Sequence, residues 1–167
     1  AALAVEGDRR RKAEESLKIQ KQWSETIINL APDIVVGLGV NSKITIFNKF
    51  AEELTGYSAS EVIGKIWFDI FIPPEEKPSI NIVWDKLVES VGKNHKHENF
   101  ILTKDGRRLN IAWSNSVITS PLGEQMVLSM GQDVTLKRKM EEALEQSEIK
   151  HRSIFENANN AILIVEI

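Results

Sequence analysis

Apolar and polar positions alternate at both ends of residues 30–133 and follow a helical period in the middle. Ile34, Val36, Leu38 and Val40 alternate with Val35, Gly37 and Gly39, which predicts a first strand. Asn41-Ser42 turns the chain into a second strand, Lys43–Phe47. Asn48 is placed to N-cap a short helix whose Phe50 and Leu54 share a face, and Gly56 to close it. Ser58-x-x-Glu61 reads as a capping box opening another short helix, stopped by Gly64. Pro73-Pro74 followed by Glu75-Glu76 predicts the start of a longer helix. Its Ile80, Val83, Trp84, Leu87, Val88 and Val91 form one apolar stripe at helical spacing. A strand His97–Lys104, the Asp105-Gly106 turn and a strand with Leu109, Ile111 and Trp113 on one face come next. After a turn at 120–124, Gln125–Gln132 forms the last strand. Two strands, several helices and three hairpin-ordered strands predict an α+β domain on an antiparallel sheet.

A repeat frames this domain. Arg11-Lys12-x-Glu14-Glu15-x-Leu17 returns 127 residues later as Arg138-Lys139-x-Glu141-Glu142-x-Leu144. The register holds downstream: Ile27 falls on Ile154, Ala31 on Ala158, Val35 on Ile162 and Val36 on Leu163. The expected organisation is a signalling helix over 1–29, a sensory domain over 30–133 and a second signalling helix over 134–157. Residues 158–167 would begin a following repeat, with an apolar strand over 161–166. The first residue, Ala1, looks like a cut from a longer protein.

Both flanking helices carry seams spaced four and three: Ala13, Leu17, Gln20, Ser24 and Ile27 in one, Met140, Leu144, Ser147, His151 and Ile154 in the other. That is a heptad pattern, so a parallel homodimer through these helices is expected. Its polar members lower stability but allow two near-equal packings, which suits a signalling helix.

Composition excludes several functions. The 167 residues carry a net charge of −3, without the basic excess of a nucleic-acid binder. The apolar run Ala161–Val165 is too short to span a bilayer, so no direct membrane contact is expected. There is no cysteine, hence no disulfide, thiolate metal site or thiol–cofactor adduct, which fits a cytoplasmic location. His95, His97 and His151 are too scattered for a metal cluster. No nucleophile–base pair or nucleotide loop emerges, so no catalytic residue is assigned.

The stretches Asn48–Ser58, Glu61-Val-Ile-Gly64-Lys65, Lys104-Asp105-Gly106 and Asp133-Val134-Thr135 together resemble PAS domains in order and spacing. The resemblance covers residues 27–144. It implies a PAS fold, with a five-stranded antiparallel sheet in order 2-1-5-4-3 and helices on one face. It also implies a sensory, signal-relay role in a two-component system. The output domain would lie in the same protein, a histidine kinase or, as the lesser alternative, a diguanylate cyclase. His151, followed by Arg-Ser, differs from the phosphorylated His box of such kinases.

Among the PAS cofactor classes, the two that form a cysteine adduct are excluded. Haem needs an axial histidine, and His95 and His97 read as part of a solvated loop, Gly92–His97. A flavin redox sensor remains, with Asn48, Trp67, Trp84 and Trp113 as pocket candidates. Each also has a packing or capping role, so no cofactor is the favoured expectation, with a ligand-free dimerisation and spacing module as a third reading. Asn115 continues the inward face of Leu109, Ile111 and Trp113 and is expected to mark the polar side of a small cavity. Asp133 or Thr135 is expected to cap the second signalling helix, so that a sheet movement passes through this junction into its first turn.

Overall fold

The computed structural model describes residues 2–120 and 123–164. A long helix α1 (Ala2–Leu30) leads into strands β1 (Ile34–Gly39) and β2 (Ile44–Phe47). Helices α2 (Lys49–Thr55), α3 (Ala59–Val62), α4 (Trp67–Ile70) and α5 (Lys77–Val88) follow. Strands β3 (Asn94–Leu102), β4 (Arg108–Thr119) and β5 (Gln125–Asp133) complete an antiparallel sheet in order β2-β1-β5-β4-β3, and α6 (Thr135–Ile164) leaves it. This is the sheet order that the resemblance implies.

Local chemistry accounts for the joints. Asn48 N-caps α2, and Gly56 closes it at φ 78°, a conformation that side chains with a Cβ rarely adopt. The Glu61 carboxylate accepts from the Ser58 N–H at 2.8 Å, satisfying a free donor at the start of α3. Ser120 N–H donates to the Glu124 carbonyl at 2.7 Å across the last hairpin, whose Pro121 and Leu122 lie outside the described residues.

Three boundaries differ from expectation. Helix α5 begins at Lys77, past the Pro73-Pro74 pair. Glu75 and Glu76 bind the Arg108 guanidinium at 2.8 and 3.0 Å, so they tie the approach to β4 instead of occupying the first turn. The helix also ends at Val88, leaving Val91 beyond the stripe and half exposed. Strand β3 begins at Asn94, because β4 is long enough to pair Asn94, His95 and Lys96 with Ser116, Asn115 and Ser114. The expectation of a solvated loop through His95 and His97 is therefore corrected. Finally, residues 161–164 continue α6 as helix, where the repeat predicts a strand. An isolated strand has no ladder to satisfy its backbone, whereas extending a formed helix adds a hydrogen bond per residue. Residues 165–167 lie outside the described residues.

Helices α2–α5 cover one face of the sheet around a core that includes Ile34, Val36, Ile44, Val62, Phe71, Ile101, Ile111 and Val127. Most of α1 and α6 stands clear of this body. Leu17 and Trp23 on α1 are 68% and 65% exposed, and Met140 and Leu144 on α6 are 64% and 62% exposed. No helix among the described residues is long and apolar enough to cross a membrane.

Candidate functional site

Two features carry chemistry: a cavity under α5, and the junction where the sheet enters α6.

The cavity lies between the inner face of the sheet and helices α4 and α5. Its aromatic wall is built from three tryptophans. Trp67 N–H donates to the Ser42 carbonyl at 2.9 Å, fixing the start of α4. The Trp67 ring stacks on Phe71 with centroids 4.2 Å apart and meets Trp113 edge-on at 5.7 Å. Trp113 lies across Gly131, where a Cβ would sit 2.5 Å from its ring, so a glycine is what admits it. Trp84 comes from α5, half-buried and edge-on to Phe68 at 5.3 Å.

The opposite wall is polar. His97 and Asn99 on β3, Asn115 on β4 and Ser129 on β5 all line the cavity. Register brings them together: Asn115 pairs with both His95 and Ser129, and His97 pairs with Trp113. Asn115 Nδ2 reaches the His95 carbonyl only at 3.4 Å, while Asn99 Nδ2 donates to the Phe100 carbonyl at 2.7 Å. His97 Nε2 is buried without a hydrogen-bond partner among the described residues. An unmet buried polar atom costs about 1–3 kcal/mol, so this nitrogen marks a place where a polar partner is gained at low cost.

Trp67, Trp84, Trp113 and Asn115 line this one cavity, with Asn115 on its polar side. Asn48 does not join them. It is buried elsewhere, with Oδ1 accepting from the Val35 and Ala51 N–H groups at 3.0 Å each. Its Nδ2 donates to the Ile28 and Asp33 carbonyls at 3.1 and 3.0 Å, so its side-chain bonds join α1, β1 and α2 and leave none for a ligand. The same alternation that singles out Asn115 would have found Ser129, two positions from buried Val127. It would also have found Asn99, two positions from Ile101. His97, two positions before Asn99, lies on the same alternation, but it was read as the end of the solvated loop Gly92–His97.

The cavity measures about 60 Å³ to the centres of the waters it would admit, and about 490 Å³ of atom-free space with its solvent-open part. The enclosed part is smaller than the roughly 300–1,000 Å³ of a drug-sized ligand site. His95 Nε2 lies 2.6 Å from the Ser90 hydroxyl, which engages it at the end of α5. No group of three metal-ligating side chains occurs among the described residues.

At the junction, β5 ends on Asp133, whose carboxylate accepts the Thr135 N–H at 2.9 Å, a capping bond at the first turn of α6. Thr135 does not cap the helix. Its hydroxyl accepts the Asn110 N–H from β4 at 2.8 Å, and Val134 N–H donates to the Asn110 carbonyl at 2.9 Å. One turn later, Arg138 forks onto Glu98 of β3, its Nε 2.7 Å from Oε1, and Asn110 Nδ2 donates to the same carboxylate at 2.8 Å. The Arg138 hydrogen bonds hold the Glu98 carboxyl below the usual glutamate range, with Asn110 helping against partial desolvation. Glu98 in turn raises the guanidinium's pKa. Glu98, Asn110 and Arg138 were not singled out from sequence, because two of them lie far from Arg138 along the chain.

The PAS fold family matches residues 24–134, two thirds of the chain. The chain belongs to the PAS family. Among solved structures, the PAS domain of an HTR-like protein from Haloarcula marismortui is 20% identical. It covers 74% of this chain and 98% of its own, with a TM-score of 0.63. A PAS domain of a protein from Colwellia psychrerythraea is 24% identical, covering 70% and 98%, with a TM-score of 0.61. The PAS domain of the Cronobacter turicensis RpfR quorum-sensing receptor, in complex with BDSF, is 27% identical, covering 63% and 96%, with a TM-score of 0.54. No curated protein matches the chain. This PAS domain is a sensing module of signal transduction.

Proposed function

We propose that this PAS domain takes its input at the cavity and delivers it as a displacement of α6. The observation that carries the reading is the double attachment of the first turns of α6, through Thr135 to β4 and through Arg138 to β3. The same two strands supply His97, Asn99, Trp113 and Asn115 to the cavity. A shift of β3 against β4 therefore acts on both bonds. The exposed apolar residues of α1 and α6 suit a parallel homodimer, in which small rotations of α6 reach an output domain, proposed to be a cytoplasmic histidine kinase.

Asp133→Ala tests the relay. In the protein with its output domain, this variant is expected to keep the fold and lose the coupling between sheet and helix. Unchanged output would refute the reading. Sedimentation of the chain tests the dimer: a monomer at all concentrations would contradict it.

A ligand as the input is favoured by the unpartnered His97 Nε2 and by the likeness, at 27% identity, to a receptor domain in complex with BDSF. The reading as a spacing module with a fully packed core leaves that nitrogen unexplained.

A further inference from the structure

We propose that α5 sets the position of α6 through β3, and that His95 is the positioning residue of this coupling, donating from Nε2 to Ser90. The coupling rests on the relay reading above and names the element that works the bond between Glu98 and Arg138.

Helix α5 is tied to β3 at both ends. Before its first turn, the Glu76 carboxylate accepts the Phe100 N–H at 3.2 Å and binds Arg108 at 3.0 Å. Past its last turn, the Ser90 hydroxyl lies 2.6 Å from His95 Nε2. The two spans agree in length. The 12 residues of α5 cover about 18 Å, and the five steps from His95 to Phe100 cover about 17 Å. Helix α5 therefore runs antiparallel to β3 and braces it as a strut. β3 is an edge strand, paired with β4 on one side, so it follows a brace more readily than a central strand would. Glu98 stands between the two ties. Alternation puts His95 on the inner face, toward α5, and Glu98 on the outer face, where it holds Arg138. A displacement of α5 thus reaches α6 across the thickness of one strand.

The bonds at Ser90 fix the chemistry of the tie. Its hydroxyl also lies 2.7 Å from the Leu87 carbonyl, which can only accept. The single hydroxyl proton goes to that carbonyl, so the Ser90 oxygen is left to accept from His95, and Nε2 carries a proton. The two bonds run in series, from the last turn of α5 through Ser90 into β3. A serine that did no more than close α5 would need the first bond and not the second.

Two measurements on the whole chain test the coupling. Nitrogen-15 NMR of the histidine rings near neutral pH is expected to show His95 protonated on Nε2, and an unprotonated Nε2 overturns the proposal. Amide exchange at 135–141 is then compared among variants. His95→Leu removes the tie and leaves the Ser90 bond to Leu87 in place, so exchange there should quicken roughly two- to fivefold. His95→Gln keeps an N–H donor and should restore most of the protection. A change confined to the last turn of α5, or equal effects of His95→Leu and His95→Gln, overturns the proposal. If His95→Leu fails to fold, Ser90→Ala decides by the same readout. Unaltered exchange at 135–141 in these variants, with output still lost in Asp133→Ala, removes α5 as the driver and leaves the relay standing.

Discussion

The two helices that leave the PAS body are held by clamps of opposite chemistry. The α1 clamp is Asn48, fully buried and neutral, bonded to the Ile28 and Asp33 carbonyls and to the Val35 and Ala51 N–H groups. The α6 clamp is Glu98 with Arg138, ionic and partly exposed, backed by Thr135 and Asn110. A buried amide network has no titratable group and little access for salt, and each lost bond strands a partner. An exposed ion pair contributes little net stability and is screened by salt. On the proposed relay, the difference makes α1 the side anchored with the fold and α6 the side released while the fold stays intact. That asymmetry is what a relay with a fixed side and a moving side requires.

The sharpest way to break the comparison is to remove the neutral clamp. Asn48→Leu strands two carbonyls and two N–H groups at the base of α1 and α2, so unfolding in denaturant should show a loss of about 3 kcal/mol or more. A loss near zero would mean that the clamp is not anchoring. Gly131→Ala comes next. The added Cβ would lie 2.5 Å from the Trp113 ring, on the strand that ends at Asp133. Overpacking of this kind should cost about 1–3 kcal/mol and move the Trp113 indole signal.

Smaller in stability, but more telling for function, is acid. Glu98 is held below the ordinary glutamate range, so its folded pKa is depressed. Its contribution is complete above the unfolded value of about 4.3 and is lost as pH falls through the folded value. Amide exchange in the first turns of α6 should therefore accelerate in that acid range, relative to the intrinsic rate, before the end of α1 responds. Salt has the smallest effect: raising it from low ionic strength should loosen the same turns slightly and leave the Asn48 clamp untouched.

Much of the anchored side was legible in the sequence. Asn48 before a helical period marks an N-cap, and Gly56 marks the end of that helix. The reach of Asn48 back to Ile28 was not legible, because it depends on where α1 comes to rest. Asn115 was found by strict alternation from Ile111, and Ser129 and Asn99 were open to the same logic. His97 lies on that alternation too, at the first position of the expected strand, but its place beside His95 in a polar stretch read as solvated loop. On the moving side, Asp133 and Thr135 could be read from their place at a strand–helix junction. Thr135 nevertheless serves β4 and not the helix, and the Glu98–Arg138 pair is tertiary, spanning residues no local pattern connects. The helical continuation through 161–164 shows the limit of the repeat: a similar apolar run is a strand only where a sheet receives it.

The central claim is that α6 is held by a releasable bond and α1 by a permanent one. Hydrogen exchange on the Glu98→Gln chain near neutral pH tests it most directly. The account predicts faster exchange at 135–141, where Arg138 N–H bonds the Val134 carbonyl, with protection at 26–35 and in the central strands unchanged. Equal loss of protection at both helices, or no change at the start of α6, would contradict it.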